Sequence, residues 1–262
     1  MDDRLILLCE DSTDGMFTAV YDGWTFQLHG KEVEIRTTDE YEPELFCSFR
    51  RIETDPEKAE KVASSVRKKL GIRVYEDICY VAASSRAVDK GTVIFRLLWK
   101  ALRSRPYRRD IMEELTDPWV IRALKIRIQV WHEFHRMLGF VRFRELSGEI
   151  LYSEITPDND ILALLGPHFE NRFPNENWMI CDKKRKKVLV HPRQKTSYLY
   201  YPVSRAVKNA SDLAQPEEYE ELWKVFCRQI TIHERKNPGL QGQMLPLKYR
   251  VNMTEFTETV QP

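Results

Sequence analysis

The spacing of apolar residues changes along the chain, and each change marks an element. Leu5-Ile-Leu-Leu-Cys9 is a continuous apolar run, which reads as a buried strand. After the turn signal Asp14-Gly15, the residues Phe17, Val20, Tyr21, Trp24 and Leu28 recur at helical spacing. Short extended runs follow at Val33-Glu-Ile35 and Leu45-Phe-Cys-Ser-Phe49. Thr54-Asp55-Pro56-Glu57 then opens a helix. An acid supplies the cap, and proline sits where a missing N–H costs nothing. Gly71 ends that helix. Further helices are predicted over 73–85, 91–104 and 117–138, the last entered through Asp117-Pro118. Ile121, Leu124, Ile128, Trp131 and Leu138 fall in one arc of this last helix and form its expected buried face. His135 lies in the same arc and reads as a core histidine.

After Gly139 the period becomes two. Phe140–Glu145 and Ile150–Ile155 flank Ser147-Gly148 and predict a hairpin. A short helix over Asp160–Phe169 follows, with Asp160 as its cap. A second hairpin pairs Trp178–Asp182 with Val188–His191 through the basic run Lys183–Lys187. Pro216-Glu217-Glu218 opens a final long helix that stops at Glu234-Arg-Lys-Asn237-Pro238. The expected fold class is α+β: an N-terminal strand–helix unit and helical middle, then a small antiparallel sheet and a closing C-terminal helix. The corresponding division is 1–138 and 139–262, as two domains or packed as one.

A chain of 262 residues can bury a sizeable core. Leu5–Cys9 is too short to span a membrane and lacks the flanks of a secretory signal, so no membrane association is expected. Cys9, Cys47, Cys79, Cys181 and Cys227 are scattered and odd in number. They read as thiols in a reducing compartment, the cytoplasm. Net charge is close to zero but unevenly spread. Residues 1–60 hold 16 acids against six Lys and Arg, leaving 24 acids and 35 Lys and Arg for the remainder. An acidic start and a basic body suit either a phosphate-seeking face or an ordinary solvated surface.

The chemistry concentrates between residues 122 and 187. Arg122, Lys125, Gln129, His132 and Arg136 share one stripe of the predicted helix, as in a helix laid along a phosphate backbone or a helix face bathed in water. His132 and His135 are too close for a His-Glu-x-x-His zinc motif and no third ligand is evident, so no metal is expected there. Arg142 and Arg144 share a strand face with Phe140, which makes either a stacking platform or a charged edge. Trp178 is a second candidate for stacking on a base. His168 and Arg172 share a helix face. Asp158, Asp160 and Asp182 are candidates for a two-carboxylate metal site, with capping as the cheaper reading of Asp160. Lys183, Lys184, Arg185, Lys186 and Lys187 make the densest positive cluster, at an exposed hairpin tip. No Gly-rich phosphate loop, nucleophile elbow or cysteine cluster occurs.

These residues also carry a likeness. His135-Arg-Met-Leu-Gly-Phe-Val-Arg-Phe-Arg-Glu145, Pro157-Asp-Asn-Asp-Ile-Leu162, Pro167-His-Phe-Glu-Asn-Arg-Phe173, Trp178 and Asp182-Lys-Lys-Arg185 resemble an uncharacterised bacterial family of "probable DNA metabolism" proteins. Asp14-Gly15-Met-Phe-Thr-Ala-Val-Tyr21 and Arg235-Lys-Asn-Pro-Gly-Leu-Gln241 are similar too. The resemblance implies a partner: a radical SAM protein encoded alongside, or a uracil-DNA-glycosylase-like module that is fused in some members. No catalytic residues come with it. Arg235, with Arg136, Arg142, Arg172 and Arg185, is a matched position.

The resulting expectation is a cytoplasmic DNA-binding accessory protein in DNA modification or repair, without a cofactor. Arg122, Lys125, Arg136, Arg142, Arg144, Arg172, Lys183, Lys184, Arg185, Lys187 and Arg235 would hold phosphates. One alternative is a metal-dependent nuclease or base-processing enzyme built on Asp158, Asp182, His168 or His135. Another is an interaction scaffold whose acidic first sixty residues dock a basic partner.

Overall fold

A computed structural model describes residues 4–37, 44–146, 150–201 and 238–256. The fold is α+β, and two compact units divide the chain, Met1–His132 and Glu133–Pro262.

The first unit is built on three parallel strands: β1 (Arg4–Leu8), β2 (Glu32–Arg36) and β3 (Cys47–Arg51), in the order β2-β1-β3. The central strand is buried on both faces, with Leu5, Ile6, Leu7 and Leu8 all in the core. That burial is why its sequence is continuously apolar rather than alternating. Helix α1 (Thr13–Leu28) follows, and the Ser12 side chain accepts from Gly15 N at its start. Gly23 lets this helix press onto the sheet. A Cβ there would come within 3.1–3.2 Å of Val33, Leu7 and Phe95.

Helices α2 (Pro56–Lys69), α3 (Ile72–Ala82) and α4 (Lys90–Arg103) complete the layer. Asp55 Oδ1 caps α2 through Glu57 N and Lys58 N, as the acid-proline entry predicts. Gly71, at φ 99°, lies in the left-handed region between α2 and α3. At the outer edge of β2, Thr92 Oγ1 accepts from Ile35 N and donates to Ile35 O, covering a strand edge that would otherwise lack partners. Lys90 is buried, yet its ammonium is satisfied by the Asp11 carboxylate and the Ala82 and Ser84 carbonyls.

Helix α5 (Pro118–Phe140) starts as the sequence predicts. Asp117 Oδ1 accepts from Trp119 N and Val120 N, while Oδ2 meets Lys100 at 2.6 Å. Its buried face is another matter. Val120, Ala123, Ile126, Val130, Glu133 and Met137 are buried, whereas Ile121, Ile128 and Trp131 are exposed. His135 is likewise exposed, contrary to its reading as a core histidine.

In the second unit, β4 (Arg144–Leu146), β5 (Ile150–Ile155), β6 (Asn177–Asp182), β7 (Lys187–His191) and β8 (Tyr198–Tyr200) form one sheet in chain order. The two expected hairpins are present, β4–β5 and β6–β7. The β5–β6 pair is parallel, so the sheet is mixed rather than purely antiparallel. Helix α6 (Leu162–Arg172) crosses between these two strands, which is what a parallel connection requires. Two further sequence expectations are corrected. Residues 140–143 are not strand, because α5 runs through Phe140. Ile161, not Asp160, is the residue at the start of α6, since the Asp160 carboxylate is taken by Lys187. Helices α7 (Pro238–Met244) and α8 (Leu247–Arg250) follow later in the chain. The predicted helix from Pro216 to Glu234 and the Ser147-Gly148 turn lie outside the described residues. Among the described residues, no helix is long and apolar enough to cross a membrane.

Candidate nucleic-acid interface

The β6–β7 hairpin tip is held from within. Asp182 is fully buried, and its Oδ1 accepts from the backbone N–H of Lys184 (2.9 Å) and Arg185 (3.1 Å). Its Oδ2 accepts from Arg185 Nη1 at 2.9 Å. Lys186, at φ 54°, closes the turn in the left-handed region. Arg185 also donates to Pro157 O at 3.2 Å and to Asp158 O, so one guanidinium ties the tip to the loop before α6. That loop has a second anchor. Buried Glu133 accepts from Asp158 N, Asn159 N, Asn159 Nδ2 and the Tyr249 hydroxyl. Burial and the Glu133 carboxylate both push the Tyr249 phenol well above its ordinary range, so it stays a donor.

Three lysines project from this rigid turn: Lys183, Lys184 and Lys186 are exposed. Lys183 meets Glu154 at 2.9 Å, and Lys184 reaches Asp158 O only at 3.4 Å. Lys187 turns back to Asp160. Its ammonium also lies 5.7 Å from the Tyr201 ring. Tyr198, Tyr200 and Tyr201 are more than half exposed, and Tyr200 stands opposite Val188 in the strand register. The alternation of Tyr198 and Tyr200 was visible in the sequence; sequence reasoning passed over it for the denser basic run.

The other candidate cations divide into two sets. Arg122 makes a two-pronged contact with Asp89 at 2.7 Å for each prong. That contact lowers the Asp89 carboxyl below its usual range against the opposing effect of burial. Arg142 pairs with Glu255 at 2.7 Å and donates to Gly139 O at 2.6 Å. These carboxylate partners lie 33 and 113 residues away in sequence, which is why the basic pattern alone did not reveal them. Lys125, Arg136 and Arg172 are exposed and Arg144 is half-buried, and none of the four has an ion pair among the described residues. Arg172 lies over the Phe173 ring at 5.5 Å. Arg235 lies outside the described residues.

The stacking candidates fare differently. Trp178 is fully buried, stacked on His191 at 4.8 Å and edged by Phe143 and Phe169, so it serves the core and not a base. Phe140 is half-buried against Tyr249. Of the catalytic candidates, Asp182 shapes the tip, Asp158 pairs with Lys248 at 2.5 Å, and His168 stands edge-on to Phe169. Among the described residues, no three His, Cys, Asp or Glu are grouped to hold a metal.

A family model described as a domain of unknown function, DUF4130, matches residues 88–255. No curated protein matches the chain.

Proposed function

The chain belongs to the DUF4130 family, and from that premise we propose that it binds DNA through the β6–β7 tip, as an accessory protein in DNA modification or repair. One observation carries the reading. Three exposed ammonium groups ride on a turn whose shape is fixed by a buried carboxylate and a buried-side guanidinium, with exposed tyrosines on the neighbouring strand. A turn whose backbone is already ordered presents its lysines without a loop having to fold on binding, and rings beside them offer flat faces to unpaired bases. The surface pair of Lys183 with Glu154 is worth little in water and is readily exchanged for phosphate. The radical SAM partner implied by the family resemblance belongs to the same reading, in the cytoplasm. Co-purification of the two proteins tests it separately.

The decisive measurement is anisotropy of a labelled single-stranded oligonucleotide across a salt series. Three phosphates neutralised by the tip give a log–log slope near about −2. A K183A/K184A/K186A variant should bind more weakly with a shallower slope. Binding that is indifferent to salt, or to this variant, removes the proposal.

A further inference from the structure

The first unit holds a cleft that lies outside every basic cluster singled out in the sequence. It lies between α1, α2 and the segment after α4, encloses about 480 Å³, and is walled by Tyr21, Trp24 and Tyr107 with Lys61, Lys69 and Arg105 around it. Among the described residues, no carboxylate lines it. That volume falls in the range of small-ligand sites.

The aromatic walls are braced. Trp24 leans on Trp99 with ring centroids 4.8 Å apart, and Trp99 stacks on buried Phe95 at 6.0 Å. Opposite, the Arg105 guanidinium lies 4.2 Å over the Tyr107 ring and is steadied by the Leu102 and Ser104 carbonyls; Lys69 sits 5.4 Å from the same ring. Lys61 is 5.9 Å from the Tyr21 ring. None of these three cations has a carboxylate partner among the described residues, in contrast to Arg122 and Arg142. Flat apolar walls with an uncompensated positive rim suit a planar ring that carries negative charge at one end. A base attached to phosphate has that chemistry.

The surface beyond the cleft bears on the source of such a ligand. A more open groove of about 760 Å³ continues over α2, sharing Lys61, Ser65 and Lys69 with the cleft and adding Lys68 together with two carboxylates, Glu57 and Glu60, of which Glu60 is engaged by Arg67. A free nucleotide would fill the cleft alone and leave this groove unused. A strand has further phosphates to lay along it.

We infer that the cleft takes one unpaired base of a nucleic-acid strand, whose neighbouring phosphates lie on Lys61, Lys68 and Lys69. The choice of ligand rests on the DNA-binding reading, but the site and its residues are separate from the hairpin tip.

The test uses the full chain and a pentanucleotide with 2-aminopurine at its centre and thymine elsewhere, since stacking on aromatic rings quenches that base. Wild type should quench it at saturation. The double variant R105A/Y107L, checked for folding by circular dichroism, should lose the quench and bind the pentanucleotide about tenfold more weakly. Arg105→Lys, which keeps the charge but not the planar stack, should show an intermediate quench. Binding without quench, or a quench unchanged in R105A/Y107L, overturns the cleft assignment and leaves DNA binding at the tip standing. A quench that persists while K183A/K184A/K186A binds as tightly as wild type supports the cleft and removes the tip. Competition by 2-aminopurine nucleoside monophosphate at the pentanucleotide's own concentration overturns the strand assignment in favour of a free nucleotide.

Discussion

Tyr249 donates its hydroxyl to Glu133, 116 residues earlier in the chain, and both side chains are buried. The carboxylate takes three more donors from Asp158 and Asn159, so its charge is spread over four hydrogen bonds. Glu133→Ala would strand those donors and should destabilise the protein by about 3 kcal/mol or more. Glu133→Gln should cost nearly as much, because an amide nitrogen would face donors. Tyr249→Phe, which loses one bond, should cost about 1–2 kcal/mol. Urea denaturation of the three variants gives the ordering. An unperturbed Glu133→Ala midpoint would contradict the network.

Asp117 makes stability depend on acid. Burial alone would raise its carboxyl, but Lys100 and the two α5 amides outweigh that and hold it below the usual range. A group lowered on folding stabilises above its unfolded value, and the contribution vanishes as pH falls through the folded one. Asp117→Asn keeps a capping oxygen but loses the charge. It should therefore be less stable than wild type at pH 7, and the gap should close below about pH 4. Asp117→Ala should lose the cap as well, costing about 1 kcal/mol more. Thermal melts across that pH range report both effects.

The orientation of α5 is open to a two-residue test. Ile126 is 1% exposed and Ile128 is 46% exposed. Ile126→Ala should destabilise by about 2–4 kcal/mol, whereas Ile128→Ala should stay within about 0.5 kcal/mol. A larger loss at Ile128 than at Ile126 would restore the face first read from the sequence.

That face shows where reading a sequence stops. Helix entries at Asp55-Pro56 and Asp117-Pro118 were legible because capping is settled within four residues. Hairpins around Lys183–Lys186 and after Arg144 were legible from alternation. In α5 two stripes compete, and in the more apolar one Ile121, Ile128 and Trp131 are exposed while Leu124 and Leu138 are only half-buried. The buried stripe contains Ala123 and Glu133. Glu133 qualifies for burial only because its partners come from residues 158, 159 and 249. The parallel β5–β6 pairing was missed for a similar reason, since strand direction depends on where α6 crosses. Of the candidate site, the exposed tip was foreseeable. The carboxylates that engage Arg122 and Arg142, and the aromatic cleft of the first unit, are products of tertiary folding.

Asp182 and Arg185 hold the hairpin turn through backbone N–H groups and one guanidinium, without help from the side chains of the lysines that crown it. Recognition and architecture are thereby uncoupled at this spot. Descendants of the sequence can rewrite the three outward side chains, trading one ligand preference for another, while the scaffold beneath them stays unaltered.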